Sequence, residues 1–110
     1  MIAAYEKAVQ AMGERWGDDE FISFIELGGL GHWGEWHVDS TAGIRQLPDE
    51  SVREEYVTPW LSAFPNANLL MRRPFTVASE NGLGLYNDMA GNQKATQDWL
   101  EWIASGGVYS

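Results

Sequence analysis

No cysteine occurs among the 110 residues, which removes a disulfide framework and any thiolate zinc site and leaves the redox compartment undetermined. Positive charge is scarce as well. Seven Lys and Arg stand against sixteen Asp and Glu, a formal net charge of −9. A phosphate backbone or an anionic bilayer would be repelled before short-range contacts formed, so nucleic acid and membrane are not expected as partners, and neutral or cationic ones are. Long apolar runs are also missing. No window approaches the roughly 18 apolar residues of a membrane span, and in the opening "MIAAYEKAVQ" Glu6 and Lys7 stand where a signal peptide would keep its apolar run. The expectation is a soluble chain of undetermined location. Its length allows one domain, 1–110, able to bury about two thirds of the surface its unfolded chain exposes.

Tryptophan, by contrast, is plentiful, with six copies. Trp16, Trp60, Trp99 and Trp102 belong to a core if they fall on helical apolar stripes. Ile2, Tyr5, Val9, Met12 and Trp16 are spaced by three and four residues, which predicts a helix over 2–16. "FISFIEL", 21–27, is apolar on both parities and reads as a parallel strand covered on both faces. Pro48, Asp49 and Glu50 suit the first turn of a second helix, whose stripe is Val52, Tyr56, Trp60 and Phe64. Pro59 should kink it, and "FPNAN" should end it. Short strands are predicted at 68–73 and 83–89, joined by "PFTVASENG" as a loop in place of a helix. "TQDWLEWIASGG" reads as a last helix with Thr96 as its cap, Trp99, Leu100 and Ile103 facing inward, and Gly106 or Gly107 ending it. Alternating helices and strands with connections of this length predict an α/β fold with about three parallel strands.

In such sheets the segments after the strand C-termini converge on one edge, where ligands bind. Three chemistry-bearing stretches fall there: "GLGHWGEWH", "RRP" and "NDM". Glu35 lies between Trp33 and Trp36, an apolar setting that would raise a carboxyl pKa toward that of a general acid. Asp88 is the candidate second carboxylate, since glycoside hydrolysis needs two on opposite sides of the scissile bond. Glu26, on the strand face shared by Ile22 and Phe24, rivals Glu35 for the acid role. Trp33 and Trp36 offer flat faces to sugar rings, and Arg72, Arg73 and Asn87 offer donors to hydroxyls.

Plainer readings stay open beside these. The two tryptophans can plug the end of a core with Glu35 exposed between them. Arg72 or Arg73 can be a structural partner of Glu26 or Asp88, and Asp88 can cap a turn. His32 and His37 with Glu35 form H-x-x-E-x-H, which matches no helical zinc motif, and no Lys or Ser/Thr follows the glycines in phosphate-loop fashion, so neither metal nor cofactor is expected.

On "IELGGLGHWGEWH" the chain resembles glycoside-hydrolase-like (β/α)8 barrels of bacterial proteins whose fourth strand ends in G-x-x-G-x-WGEWH. "AFPNANLLMRRP" and "GLGLYNDM" resemble the following two strands with their terminal Asn-Asp. The resemblance implies carbohydrate-directed chemistry at the C-terminal face, carried by Glu35 with Trp33, Trp36 and His37 and by Asp88 with Asn87; His32, in the same stretch, is a further candidate for sugar contact. A whole barrel needs about 250 residues. The chain is therefore expected to be a partial (β/α)8 segment, the fourth to sixth strands, with two open strand edges and one bare sheet face. That face would be met by other copies of the chain or by the remainder of a larger barrel. The alternative function is a non-catalytic carbohydrate-binding or structural module.

Overall fold

The computed structural model describes residues 1–105 as an α/β unit. In chain order it contains α1 (Ile2–Trp16), β1 (Phe24–Glu26), a 3-10 turn (His32–Gly34), α2 (Glu50–Ala63), β2 (Asn68–Met71), α3 (Thr76–Glu80), β3 (Gly84–Leu85) and α4 (Gln93–Ala104). The three strands form one open sheet in the order β1-β2-β3, all parallel. Phe24 pairs with Asn68, Glu26 with Leu70, and Leu70 with Gly84. Leu27 N–H to Leu70 O (2.9 Å) and Tyr86 N–H to Met71 O (3.2 Å) carry the ladder to its C-terminal edge. The result is an unclosed, barrel-like sheet with flanking helices.

Alternation along the strands divides the sheet into two unlike faces. Leu27, Leu69 and Met71 lie on the covered face and join Trp36, Tyr56, Val57, Phe64, Phe75, Val77 and Ala78 in the core. The other face carries Phe24, Glu26, Asn68, Leu70 and Gly84, and Phe24 is 65% exposed on it. Coverage of the first strand on both faces is thus a wrong expectation. The helices lie on one side only, so "FISFIEL" keeps an apolar residue on each parity without a second layer to bury it. Phe21, in the turn before β1, is 93% exposed.

α1 docks along α2 at a point of unusually close approach. A Cβ at Gly13 would stand 2.6 Å from Ala63 Cβ, and one at Gly17 would meet the Ala63 carbonyl. Tyr5, on the inner side of α1, donates to Gly28 O at 2.6 Å and accepts from Trp60 Nε1 at 2.8 Å, so one hydroxyl ties α1, α2 and the loop after β1 together. α2 continues through Pro59, whose ring is buried.

Further expectations are corrected. "PFTVASENG" holds a five-residue helix, α3, whose first turn is held from outside, because Glu50 Oε1 accepts the Val77 N–H at 2.8 Å. The last helix starts earlier than Thr96: Asn92 is its cap and accepts the Ala95 N–H at 2.9 Å, while the Thr96 hydroxyl turns back to the Met89 and Ala90 carbonyls. Nor does α4 bury a full stripe. Leu100 is 55% exposed and Ile103 sits at the surface, while Trp99 and Trp102 are half-buried. Trp16, at the end of α1, is also exposed rather than in the core. The expected glycine stop at Gly106 or Gly107 lies outside the described residues. Among those described, no helix is long and apolar enough to cross a membrane.

Candidate functional site

Because the strands are parallel, the segments after Glu26, Met71 and Leu85 leave the sheet at the same edge. The first is a tightly knotted loop. Gly29 N–H bonds to Gly34 O (3.0 Å), Trp36 N–H to Leu30 O (2.8 Å) and His32 N–H to His37 O (2.8 Å). Closing it requires a left-handed backbone at Gly31, Trp33, Gly34 and Trp36. For the two glycines this is easy; a side chain there costs about 1–2 kcal/mol per residue. At Gly31 a Cβ would also meet the His37 backbone nitrogen at 2.7 Å.

The two tryptophans part company. Trp36 is fully buried, its ring edge-on to Phe75 and its Nε1 donating to Leu27 O at 2.8 Å. Trp33, at φ 54°, is 85% exposed and has the imidazoles of His32 and His37 beside it, with ring centroids 5.7 and 5.9 Å away. Trp36 thus has the geometry of a core plug, whereas Trp33 lies open to water. Trp36 faces the core and does not reach the edge. His32 is fixed behind the loop, where its Nε2 accepts the Asp39 N–H at 3.0 Å. Asp39, itself bonded by the Thr41 hydroxyl and backbone N–H, is held below the usual carboxylate range by those two bonds.

Glu35 does not sit in an apolar sleeve between two indoles. Its carboxylate lies 2.6 Å from Arg72 Nη1 and 3.3 Å from His37 Nε2. Arg72 in turn makes a fork on Asp88, with Nε to Oδ1 and Nη2 to Oδ2 both at 3.0 Å. Glu35 and Asp88, 53 positions apart in the sequence, are therefore brought to one place, on different edges of a single guanidinium whose side chain is only 12% exposed. Arg72 is a partner of Asp88, as one of the plainer readings has it, and of Glu35 in place of Glu26.

Glu26, on the open face of β1, has neither an ion pair nor a side-chain hydrogen bond among the described residues and is exposed. Asn87 lies under the edge, its amide donating to Thr96 Oγ1 at 3.3 Å and its Oδ1 accepting the Met89 N–H at 2.9 Å. Arg73 places its guanidinium 4.6 Å from the Trp102 ring centre, at the wall of the same hollow that Arg72 borders.

Tyr86 is a residue that sequence reasoning missed. Continuing the Met71–Leu85 register by one step sets it beside Arg72 on the open face. Burial is the first cause pushing its phenol up, followed by the charge of Glu26; Arg72 opposes this, and Asp88 and Glu35 add to it. Strand parity after Gly84 could have found it.

A cavity of about 140 Å³ opens between Arg72, Tyr86, Asn87, Asp88, Trp99 and Trp102. A larger hollow, about 480 Å³, lies at the opposite end of the sheet around Phe24, Phe64, Asn68 and Gly84, but no titratable side chain lines it. The edge holding Glu26, Glu35, Arg72, Tyr86 and Asp88 is the chemically equipped one. Among the described residues, no group of three or more His, Asp or Glu side chains is arranged to hold a metal ion. Compared with protein-family models, with curated proteins and with solved structures, the chain finds no match.

Proposed function

We propose that this edge is a carbohydrate-binding site on a glycoside-hydrolase-like scaffold, with Trp33 as its stacking platform and the Glu35–Arg72–Asp88 row as its polar floor. The observation that carries the reading is Trp33. A tryptophan that gains almost nothing from burial is held in a backbone region unfavourable to it, and such strain persists only where the surroundings enforce it, which is characteristic of ligand-binding positions. A flat indole presented to water beside two imidazoles, one of them 3.3 Å from the Glu35 carboxylate, suits a sugar, which offers an apolar face and a rim of hydroxyls.

Hydrolysis by Glu35 and Asp88 is less well supported than binding. A scissile bond must lie between the two carboxyl groups, and Arg72 occupies that space. One observation does favour a hydrolytic second reading, with Glu26 as the acid: it is the carboxylate of this edge left unpaired among the described residues.

Titrating the protein with neutral glucan, xylan, mannan and chitin hexasaccharides tests both readings. Binding predicts a saturable change in tryptophan emission that Trp33→Ala abolishes. Silence with every sugar contradicts it. The hydrolytic reading predicts reducing ends from one of these sugars, lost in Glu26→Gln, which cannot give up a proton, and kept in Glu35→Gln.

A further inference from the structure

The open face of the sheet brings three polar side chains to the site: Glu26, Arg72 and Tyr86. Their hydrogen-bonding capacities differ. Glu26 as a carboxylate only accepts. Arg72 only donates, and each of its three nitrogens already serves a carboxylate oxygen: Nε and Nη2 on Asp88, Nη1 on Glu35. Tyr86 has a hydroxyl for which no hydrogen-bond partner exists among the described residues, on a half-buried ring at the wall of the 140 Å³ cavity. Burial first, and then the charge of Glu26, push this phenol above its ordinary range, so it is protonated at neutral pH and stays a donor.

Saccharides need such a group. Their hydroxyls can donate to the carboxylates of the site, but their ring and glycosidic oxygens carry no proton and can only accept. Resting on the carbohydrate reading above, we propose that Tyr86 is a specificity-determining residue of this edge, donating a hydrogen bond to a proton-free ether oxygen of a sugar lodged between Glu26 and Arg72. Its ring fixes where along the edge that oxygen must lie, so linkages that place the oxygen elsewhere are discriminated against.

The test compares wild type, Tyr86→Phe and Trp33→Ala in calorimetric titrations with the same four hexasaccharides. Tyr86→Phe leaves the ring in place and removes a hydroxyl that has no partner among the described residues, so its urea midpoint should match wild type. For the tightest ligand its Kd should rise about 3- to 10-fold, the range of one neutral hydrogen bond. For the weakest ligand it should change less than twofold, so the ratio between ligands narrows. A structural defect would weaken all ligands alike. Equal Kd values for wild type and Tyr86→Phe, with Trp33→Ala still impaired, overturn the role of Tyr86 and leave the carbohydrate site standing. A uniform loss across the panel also overturns it. No binding by wild type overturns both.

Discussion

Replacing Arg72 by alanine removes the cation that joins Glu35 to Asp88, and the structure fixes the scale of the loss. An exposed ion pair contributes about 0–1 kcal/mol, whereas breaking a buried one costs about 3–5 kcal/mol. Arg72 is 12% exposed, but the two carboxylates are 41% and 38% exposed and remain solvated once it is gone, so the buried-pair figure must be discounted. Against that, three charge-assisted contacts are lost at once and two carboxylates are left facing each other. A loss of about 2 kcal/mol follows, which in a domain of this size lowers Tm by roughly 10 °C. Urea unfolding followed by tryptophan emission reads it as a lower midpoint at unchanged slope. Arg72→Lys should recover less than half, since an ammonium cannot make the fork on Asp88. In an Asp88→Asn background the Arg72→Ala loss should shrink by about 1 kcal/mol, the coupling expected of groups in direct contact. A loss below about 0.5 kcal/mol, or full recovery by lysine, would refute the bridging role.

Other expectations follow from the same geometry. Trp33→Gly removes an exposed side chain from a left-handed position and should leave stability unchanged or raise it by up to about 1 kcal/mol, as read by the urea midpoint. Trp36→Ala, although its backbone is also left-handed, empties the core and should cost about 3–5 kcal/mol in the same assay. Gly13→Ala should destabilise by about 1 kcal/mol or more, because a Cβ 2.6 Å from that of Ala63 outweighs the gain of up to about 1 kcal/mol in helix propensity. Tyr5 and Tyr86 both have phenols raised above 10.0, chiefly by burial. Above that pH the unfolded chain releases these protons while the folded one retains them, so stability is intact below pH 10.0 and falls as pH rises beyond it. Tyr86→Phe should soften that fall and remove a late-ionising phenol from the ultraviolet titration.

How far the chain could be read in advance depends on how local the deciding interactions are. α1 was legible to the residue because its apolar spacing repeats over four turns and its neighbours only reinforce it. The parallel order of β1, β2 and β3 followed from alternating elements, yet the strands are shorter than their apolar runs, since pairing stops where the chain turns to form the site. α3 was not legible. Its five residues are too few for a period, and its first turn depends on Glu50, 27 positions earlier. Asn92 is a readable cap, but Thr96 stands four residues closer to the apolar stripe and also offers a capping oxygen. At the site, the convergence of Glu35, Arg72 and Asp88 on one edge could be read from strand direction. The division between Trp33 and Trp36 could not, because it is set by successive left-handed residues that no side-chain pattern announces. The bare sheet face was legible only through the resemblance to larger barrels. Composition alone suggested a strand buried on both sides.

The most direct test follows the indole N–H resonances of protein labelled with nitrogen-15 as the four hexasaccharides are added in turn. The account predicts that with at least one sugar the Trp33 signal shifts progressively and saturates, while that of Trp36, bonded to Leu27 O inside the core, stays in place. If Trp33 remains unmoved at saturating concentrations of every sugar, the edge of this sheet is not a carbohydrate site.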